Sequence, residues 1–527
     1  MSSVVFVRRM CAAVTLSFCL QMSGGAQCDL KELARLDSGD ASVSAFGGSV
    51  GMDGGRALVG FQPDQDVGKA YLFEGEGVSW SLAQTLTPSD GGQGFGGAVA
   101  ISGDVAVVGA ALDDVTFTNS GSAYVFERQA GSWSEVAKLT APDAAANVRF
   151  GSAVDIDGDR IIIGAPYDST VVTNGGSAYL FERQGSAWVS VRKLFAADAS
   201  TNARFGFAVA VNEEAVVVGV DSRDSAYILE KLGSIWWQTA KLSVPDGEIG
   251  TEYGHAVDIR ADLAIVGASN HTTSGGERGL AYVYQKQGAF WVLASTLDVP
   301  GGNGFGASVS LSERRAVVGA PGANVGSNTV GAAYVFEEAV PGWTLTEVIH
   351  ASDRENSDQF GTAVALSGQN AIITSPGDDN SLGTNRGSAY ITQTYRTDSF
   401  DEYGTGCAGS GNFTPSLTVT GCGAPGDTIT FALTDGFGGA LALFFLGTAR
   451  GSLVLGSGCE FLTDPVAGAL FSVPLFGTGP GSGQAVFMAG VPLSPAVPSF
   501  TIQSFVLDAG VPRGFSSTNG VEVFLHY

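Results

Sequence analysis

The chain has 527 residues, 75 of them glycine, and only 15% are charged; this composition argues against a helical bundle and for a turn-rich all-β protein, because glycine weakens helices and supplies the positive φ of tight turns. Its 52 acidic and 27 basic residues leave a net charge of −25, which argues against nucleic acid and anionic membrane surfaces as partners and is compatible with cations, cationic surfaces or plain solubility. The length exceeds one typical core, so two domains are expected.

Residues 1–26 read as a secretory signal. Arg8 and Arg9 supply the basic start, residues 10–20 the apolar core, and Gly24 and Ala26 the small residues before a cut at Gln27. Gln27 and Gly25 disfavour lipidation of Cys28. No later apolar run reaches membrane-spanning length. An exported, secreted or cell-surface protein is therefore expected.

Residues 27–398 repeat one sentence seven times. A Phe-Gly position recurs at Phe46, Phe95, Phe150, Phe205, Tyr253, Phe305 and Phe360, and a Gly-Ala-Pro position 14 residues later at Gly60, Gly109, Gly164, Gly219, Gly267, Gly319 and Thr374. The third copy shows the parts: strand 1 over 150–156, an Asp157-Gly158-Asp159 turn, strand 2 over 160–165, a long polar loop, strand 3 over 177–182 and strand 4 over 188–194. Each tryptophan falls in the strand 4 slot, which marks a packing residue. Short strands at a period near 50 predict a seven-bladed β-propeller. The seventh copy lacks its fourth strand, and the missing phrase stands at residues 30–36, so the N-terminal strand is expected to complete the last blade.

These phased Phe-Gly and Gly-Ala-Pro repeats resemble the FG-GAP family, the propeller of integrin α-chain heads and of many secreted bacterial proteins. The resemblance implies a binding or adhesion role, with protein or glycan ligands at the cell surface, and a fold often steadied by calcium. The integrin-like calcium loop between strands 1 and 2 is shortened here to a bare turn. Only Asp155, Asp157 and Asp159 hint at its pattern, too short to wrap a cation that needs six to eight oxygens; no metal or other cofactor is assigned, and calcium is the cation kept in view.

Strand parity puts the long 2–3 and 4–1 loops on one face, where binding usually resides. The candidates there are Asp113, Asp114, Asp168, Asp221, Asp224, His271, Asp378 and Asp379, which could hold a cation or a basic ligand and are also ordinary turn formers.

Residues 398–402 read as a junction. Residues 403–527 are almost free of basic residues, and alternating segments at 416–420, 428–433, 440–446, 484–488, 499–507 and 521–526 predict a glycine-rich β-sandwich. Past the signal, Cys28, Cys407, Cys422 and Cys459 allow three pairings, of which Cys407 with Cys422 is favoured and Cys28 with Cys459 follows by subtraction. No catalytic motif survives inspection: Gly47–Gly51 matches G-x-S-x-G but lies in a repeat strand, and no H-E-x-x-H or phosphate loop is present. The reading is an exported, non-enzymatic, monomeric binding or adhesion protein. The alternatives are a lectin-like or envelope scaffold attached through the C-terminal module, and a propeller hydrolase, which needs carboxylates, His or Arg converging in the central opening.

Overall fold

The computed structural model describes residues 32–394 except 64–65, 221, 234, 273–277, 313 and 340–341, and beyond residue 399 the strands of a C-terminal unit with a few of their connections. The chain divides into two compact units, Leu30–Tyr395 and one that includes Arg396–Tyr527. No described helix is long and apolar enough to cross a membrane.

The first unit is a seven-bladed propeller of four-stranded antiparallel sheets. Blade 1 is Ser49–Asp53, Arg56–Phe61, Lys69–Glu76 and Ser79–Leu86 in sequential order. Blades 2 to 6 follow the same order over 95–139, 153–194, 205–243, 253–297 and 308–349. Blade 7 has three sequential strands, Val364–Ser367, Asn370–Ser375 and Ser388–Gln393, and its outer strand is Glu32–Leu36. Leu36 lies opposite Ala389 and Glu32 opposite Thr392. The ring is thus closed by pairing the start of the chain with the end of the repeats. First strands of successive blades touch all the way round, including Val364–Ser367 against Ser49–Asp53.

The repeat follows from how one blade meets the next. The phenylalanine is fully buried, as at Phe150, and its ring meets Tyr179 and Phe181 edge-on at 5.3 and 6.1 Å between centroids. The following glycine takes positive φ, 92° at Gly151, and donates its N–H to the Gly164 carbonyl of its own blade at 3.0 Å. Its own carbonyl oxygen lies over the Gly-Ala-Pro glycine of the preceding blade. A Cβ on Gly60, Gly109, Gly164, Gly219, Gly267 or Gly319 would stand 1.9 to 2.2 Å from that oxygen. Both glycines are required because two backbones pass in contact at each of these six seams. At the seventh seam Thr374 replaces the glycine, and its Oγ1 accepts from the Ala363 N–H within its own blade at 3.0 Å.

Strand 1 of the third copy is expected over 150–156 but runs Ala153–Asp157. The ladder with strand 2 starts at Ala153, and Phe150 bridges in parallel to Gly121 of blade 2. Strand 2 is a buried β-branched run, Ile161, Ile162 and Ile163 each at 0% exposure. One core cluster joins Ile161 and Ile163 to Val107, Val125 and Leu139 of the preceding blade, so each blade's faces are covered by its neighbours. Trp133, Trp188 and Trp236 are buried in the strand 4 slot, and Trp237 is left exposed.

The C-terminal unit contains antiparallel sheets. One has the order Phe400–Tyr403, Gly520–Phe524, Ser499–Leu507, Leu441–Gly447, Ala469–Pro474, with Phe515–Ser517 also paired to Ser499–Leu507. A second is Ser416–Gly421, Thr428–Gly438, Gly479–Gly490, and Arg450–Leu455 forms a hairpin with Cys459–Thr463. Leu417, Phe431, Leu433, Ala442, Leu475 and Val506 are among its buried apolar residues. Residues 398–402, read as a junction, instead contribute to a strand, because Phe400–Tyr403 pairs with Gly520–Phe524. Cys28, Cys407 and Cys422 lie outside the described residues, and Cys459 opens a strand.

Candidate functional site

The long connections lie on one face. Antiparallel strands put the 2–3 and 4–1 loops together at one end of the blades and the short 1–2 and 3–4 turns, of two or three residues, at the other; blade 7 has no 3–4 turn because its outer strand is Glu32–Leu36. In blades 2 and 3 the two kinds of long loop are hydrogen-bonded to each other. The Asn147, Arg149 and Phe150 N–H groups donate to the carbonyls of Thr118, Asn119 and Ser120, and Asn202, Arg204 and Phe205 repeat this on Thr173, Asn174 and Gly175. Side-chain amides complete it, Asn119 to Asn147 at 3.2 Å and Asn174 to Asn202 at 2.9 Å.

Beneath the loops lies a polar latch at the blade seams. Tyr179 of blade 3 donates to Asp143, which follows blade 2, at 2.7 Å. Lys193 reaches both Asp143 and Asp168 at 2.6 Å, and Ser177 donates to Asp168 at 2.6 Å. The preceding seam has the same parts: Tyr124 to Asp90 at 2.6 Å, Lys138 to Asp90 at 2.6 Å and to Asp113 at 2.8 Å. Tyr227, Lys241 and Asp198 form the next. At the closing blade Arg35 takes the lysine's place and bonds Asp353 and Asp378. Burial opposes ionisation of Asp168, but the bonds from Lys193, Ser177 and Thr170 hold its carboxyl down at about 2. Burial, then the bond to Asp198, pushes the Tyr227 phenol up to about 12. Asp90, Asp143 and Asp198 are held down by the same kind of bonds, so these carboxylates and Asp168 are ionised and the Tyr227 phenol neutral over the neutral range, whereas burial pushes the Asp378 carboxyl up.

This places the acidic residues expected on the ligand face. Asp113, Asp168 and Asp378 are 8%, 4% and 1% exposed and belong to the latch. Asp114 and Asp379 tie their own loops, accepting from the Asn119 and Asn385 N–H groups at 2.7 Å. Asp224 accepts from the N–H groups of Gly250 and Thr251, which binds the 2–3 loop of blade 4 to its 4–1 loop. Asp221 lies outside the described residues. These carboxylates frame the loops, and apolar side chains project from them: Val115 40%, Phe117 48%, Val171 49% and Ile249 86% exposed.

The shortened turn behaves as a turn. Gly158 takes φ 54° between Asp157 and Arg160, which pair directly. Asp155 points to the next blade and accepts from the Val211 N–H at 2.7 Å, while Asp159 faces Arg183. Asp258 does the same for Leu311 at 2.6 Å. The inner strands' free N–H groups are in this way met by side chains of the preceding blade. Desolvation and the negative charge of Asp258 push the Asp155 carboxyl up to about 8.

Among the described residues, the His, Cys, Asp and Glu side chains whose ligand atoms converge within 4.8 Å are Asp246, Glu248 and His271. His271 is 3% exposed, and its Nε2 lies 3.0 Å from Asp246 and 3.4 Å from Glu248. The sequence marks His271 by its loop and misses its two partners, which come from the adjacent blade. The signal that could have found the latch is the recurrence of aspartate at 40, 90, 143, 198, 246 and 353 and of lysine at 138, 193 and 241, but recurrence alone does not say which residues meet.

Fold and latch together define a seven-bladed propeller whose blades are joined by glycine contacts and by ionised side chains. The FG-GAP repeat family matches residues 80–126, 133–181, 188–229, 236–284, 295–336 and 343–392. The chain belongs to that family. No curated protein matches it significantly. Among solved structures it is similar to the WD40 domain of Toxoplasma gondii coronin, at 8% identity and a TM-score of 0.43 over 73% of this chain and 90% of that one. It is also similar to a candidate 6-phosphogluconolactonase of Bacteroides fragilis, at 9% identity and 0.40 over 60% and 86%. A functionally unknown protein of Desulfotomaculum acetoxidans gives 11% identity and 0.37 over 57% and 83%.

Proposed function

We propose that this is an exported, non-enzymatic binding or adhesion protein, monomeric, which engages a protein or glycan at the cell surface through the long-loop face of its propeller. The C-terminal strands are read as a β-sandwich that follows the propeller, as their alternation suggests. The observation that supports the binding reading is the construction of the loops. They are long, cross-linked by backbone bonds, and several of their carboxylates, Asp113, Asp168 and Asp378, are buried in the frame, so apolar tips such as Phe117, Val171 and Ile249 are presented on an ordered support. A pre-ordered loop loses little entropy on binding, and apolar tips ringed by polar backbone are what interfaces use.

The test is retention of the purified protein on immobilised cell-envelope polymers and a glycan panel. Wild type should bind at least one of them, and Phe117→Asp with Ile249→Asp should lose it. Val78→Asp with Phe290→Asp, on the opposite face, should not. Binding lost only in the second pair would overturn the reading.

A further inference from the structure

We infer that the seam between blades 4 and 5 is a site for one divalent transition cation, of the zinc class, held by Asp246, Glu248 and His271. Counting four residues past the Gly-Ala-Pro glycine gives Asp113, Asp168 and Asp378 in blades 2, 3 and 7, and His271 in blade 5. The lysine slot facing the strand 3 tyrosine holds Lys138, Lys193 and Lys241 in blades 2 to 4 and Thr296 in blade 5. Both changes fall at one seam. The seams of blades 1 and 2 and of blades 2 and 3 carry two carboxylates around one lysine; this seam carries two carboxylates around an imidazole and has no lysine at that slot.

The geometry suits a metal. One oxygen of each carboxylate is fixed by backbone: Asp246 Oδ1 accepts the Glu248 N–H at 3.1 Å and Glu248 Oε1 accepts the Thr272 N–H at 3.3 Å. The other oxygen of each, Asp246 Oδ2 and Glu248 Oε2, faces Nε2 of His271 at 3.0 and 3.4 Å. Zinc–nitrogen and zinc–oxygen bonds of about 2.0–2.2 Å in a tetrahedron put ligand atoms roughly 3.3 Å apart, so a small shift opens the centre for an ion. His271 is nearly fully buried, its Nε2 is aimed between these two oxygens, and its Nδ1 has no hydrogen-bond partner. Asp246 is 58% exposed, which leaves the site reachable from solvent. Three protein ligands with one imidazole fall far short of the six to eight oxygens that calcium takes, and suit zinc with a water in the fourth position. The site is separate from the turn at Asp155, Asp157 and Asp159, where a family calcium site would lie.

The competing occupant is a proton, with a charged His271 bridging the two carboxylates as lysine does elsewhere. Calorimetric titration of the chelator-stripped full chain with Zn2+ at pH 7.5 separates the two, with Co2+ as a spectroscopic probe. The expected result is one saturable site, a tetrahedral Co2+ visible spectrum displaced by Zn2+, and no competition from millimolar Ca2+. Asp246→Asn and His271→Asn should each weaken the affinity by at least about 10-fold, the loss that even outer-shell changes cause. His271→Lys puts an ammonium between the two carboxylates, as Lys138 and Lys193 stand between theirs, so it should fold and melt like wild type yet take up no Co2+. Absence of saturable uptake by wild type, or uptake unchanged in His271→Lys, would overturn the assignment.

Discussion

Removing the ammonium of Lys193 while keeping its stem gives the sharpest perturbation of the seams. In Lys193→Met the apolar stem still lies over Tyr179, whose ring centroid is 5.2 Å from the wild-type Nζ. What disappears is the charge between Asp143 and Asp168, each 2.6 Å away. Breaking a buried ion pair costs about 3–5 kcal/mol because the surviving charge has no counterion. Asp168 is buried, but Asp143 keeps 44% of its side chain exposed and is screened, which reduces the expected loss to about 2–3 kcal/mol. For a domain of this size that lowers Tm by about 3 °C, at an unfolding entropy of roughly 2 cal/mol/K per residue. The pH dependence has a definite sign. Asp168 has its pKa depressed to about 2, so its stabilisation is complete above the unfolded value near 4 and is lost as pH falls toward 2. The gap between wild type and Lys193→Met, followed by calorimetry of the propeller transition, should therefore be full at pH 7 and narrower at pH 3. Adding Asp168→Asn should recover part of the loss. Equal melting at pH 7, or a gap that is unchanged at pH 3, would refute the role given to the latch.

Three further outcomes are expected. Gly164→Ala places a Cβ 2.0 Å from the Gly206 carbonyl oxygen and should destabilise the propeller by about 3 kcal/mol or more in urea titration, as overpacked cores do; Gly158→Ala, with open space but φ 54°, should cost only about 1 kcal/mol. Arg35→Ala removes the bonds to Ser388, Asp353, Asp378 and the Asp379 carbonyl, so it should cost about 3 kcal/mol and speed proteolysis near residue 36, with an unchanged cleavage rate as the contrary result. Asp155 has a raised pKa, about 8, so the fold favours its acid form and stability falls as pH climbs from about 4 to about 8; Asp155→Asn should flatten that decline and melt higher than wild type at pH 9.

Phe46 to Phe360 and Gly60 to Thr374 made the propeller legible, because two backbones in contact admit only glycine and the resulting spacing survives in each copy. The closing strand was legible for a similar reason, since a blade without a fourth strand leaves an edge that residues 30–36 match in phrase. The latch was harder to read. Asp168 looks like any turn aspartate, and nothing local says that its carboxylate turns inward to a lysine of its own blade and stands beside a carboxylate of the blade before. Tyr179 and Asp143 are 36 residues apart and meet only after blades stack. The expected strand at 150–156 started three residues early because apolar alternation does not mark where ladder pairing begins. In the C-terminal unit the strands marked by alternating apolar residues, such as 499–507, were found. Gly479–Gly490 was only partly found and Cys459–Thr463 was missed, since glycine and mixed polarity blur the period of two.

The measurement that bears most directly on the central claim is surface plasmon resonance on the envelope polymer or glycan that retains wild type, run on three proteins side by side. These are wild type, the Phe117→Asp, Val171→Asp, Ile249→Asp variant of the long-loop face, and a Val78→Asp, Leu232→Asp, Phe290→Asp variant of the opposite face, all melting alike. The loop-face variant should lose at least about 10-fold in affinity, 1.4 kcal/mol, and the opposite-face variant should bind as wild type does. Undiminished binding by the loop-face variant would contradict that claim.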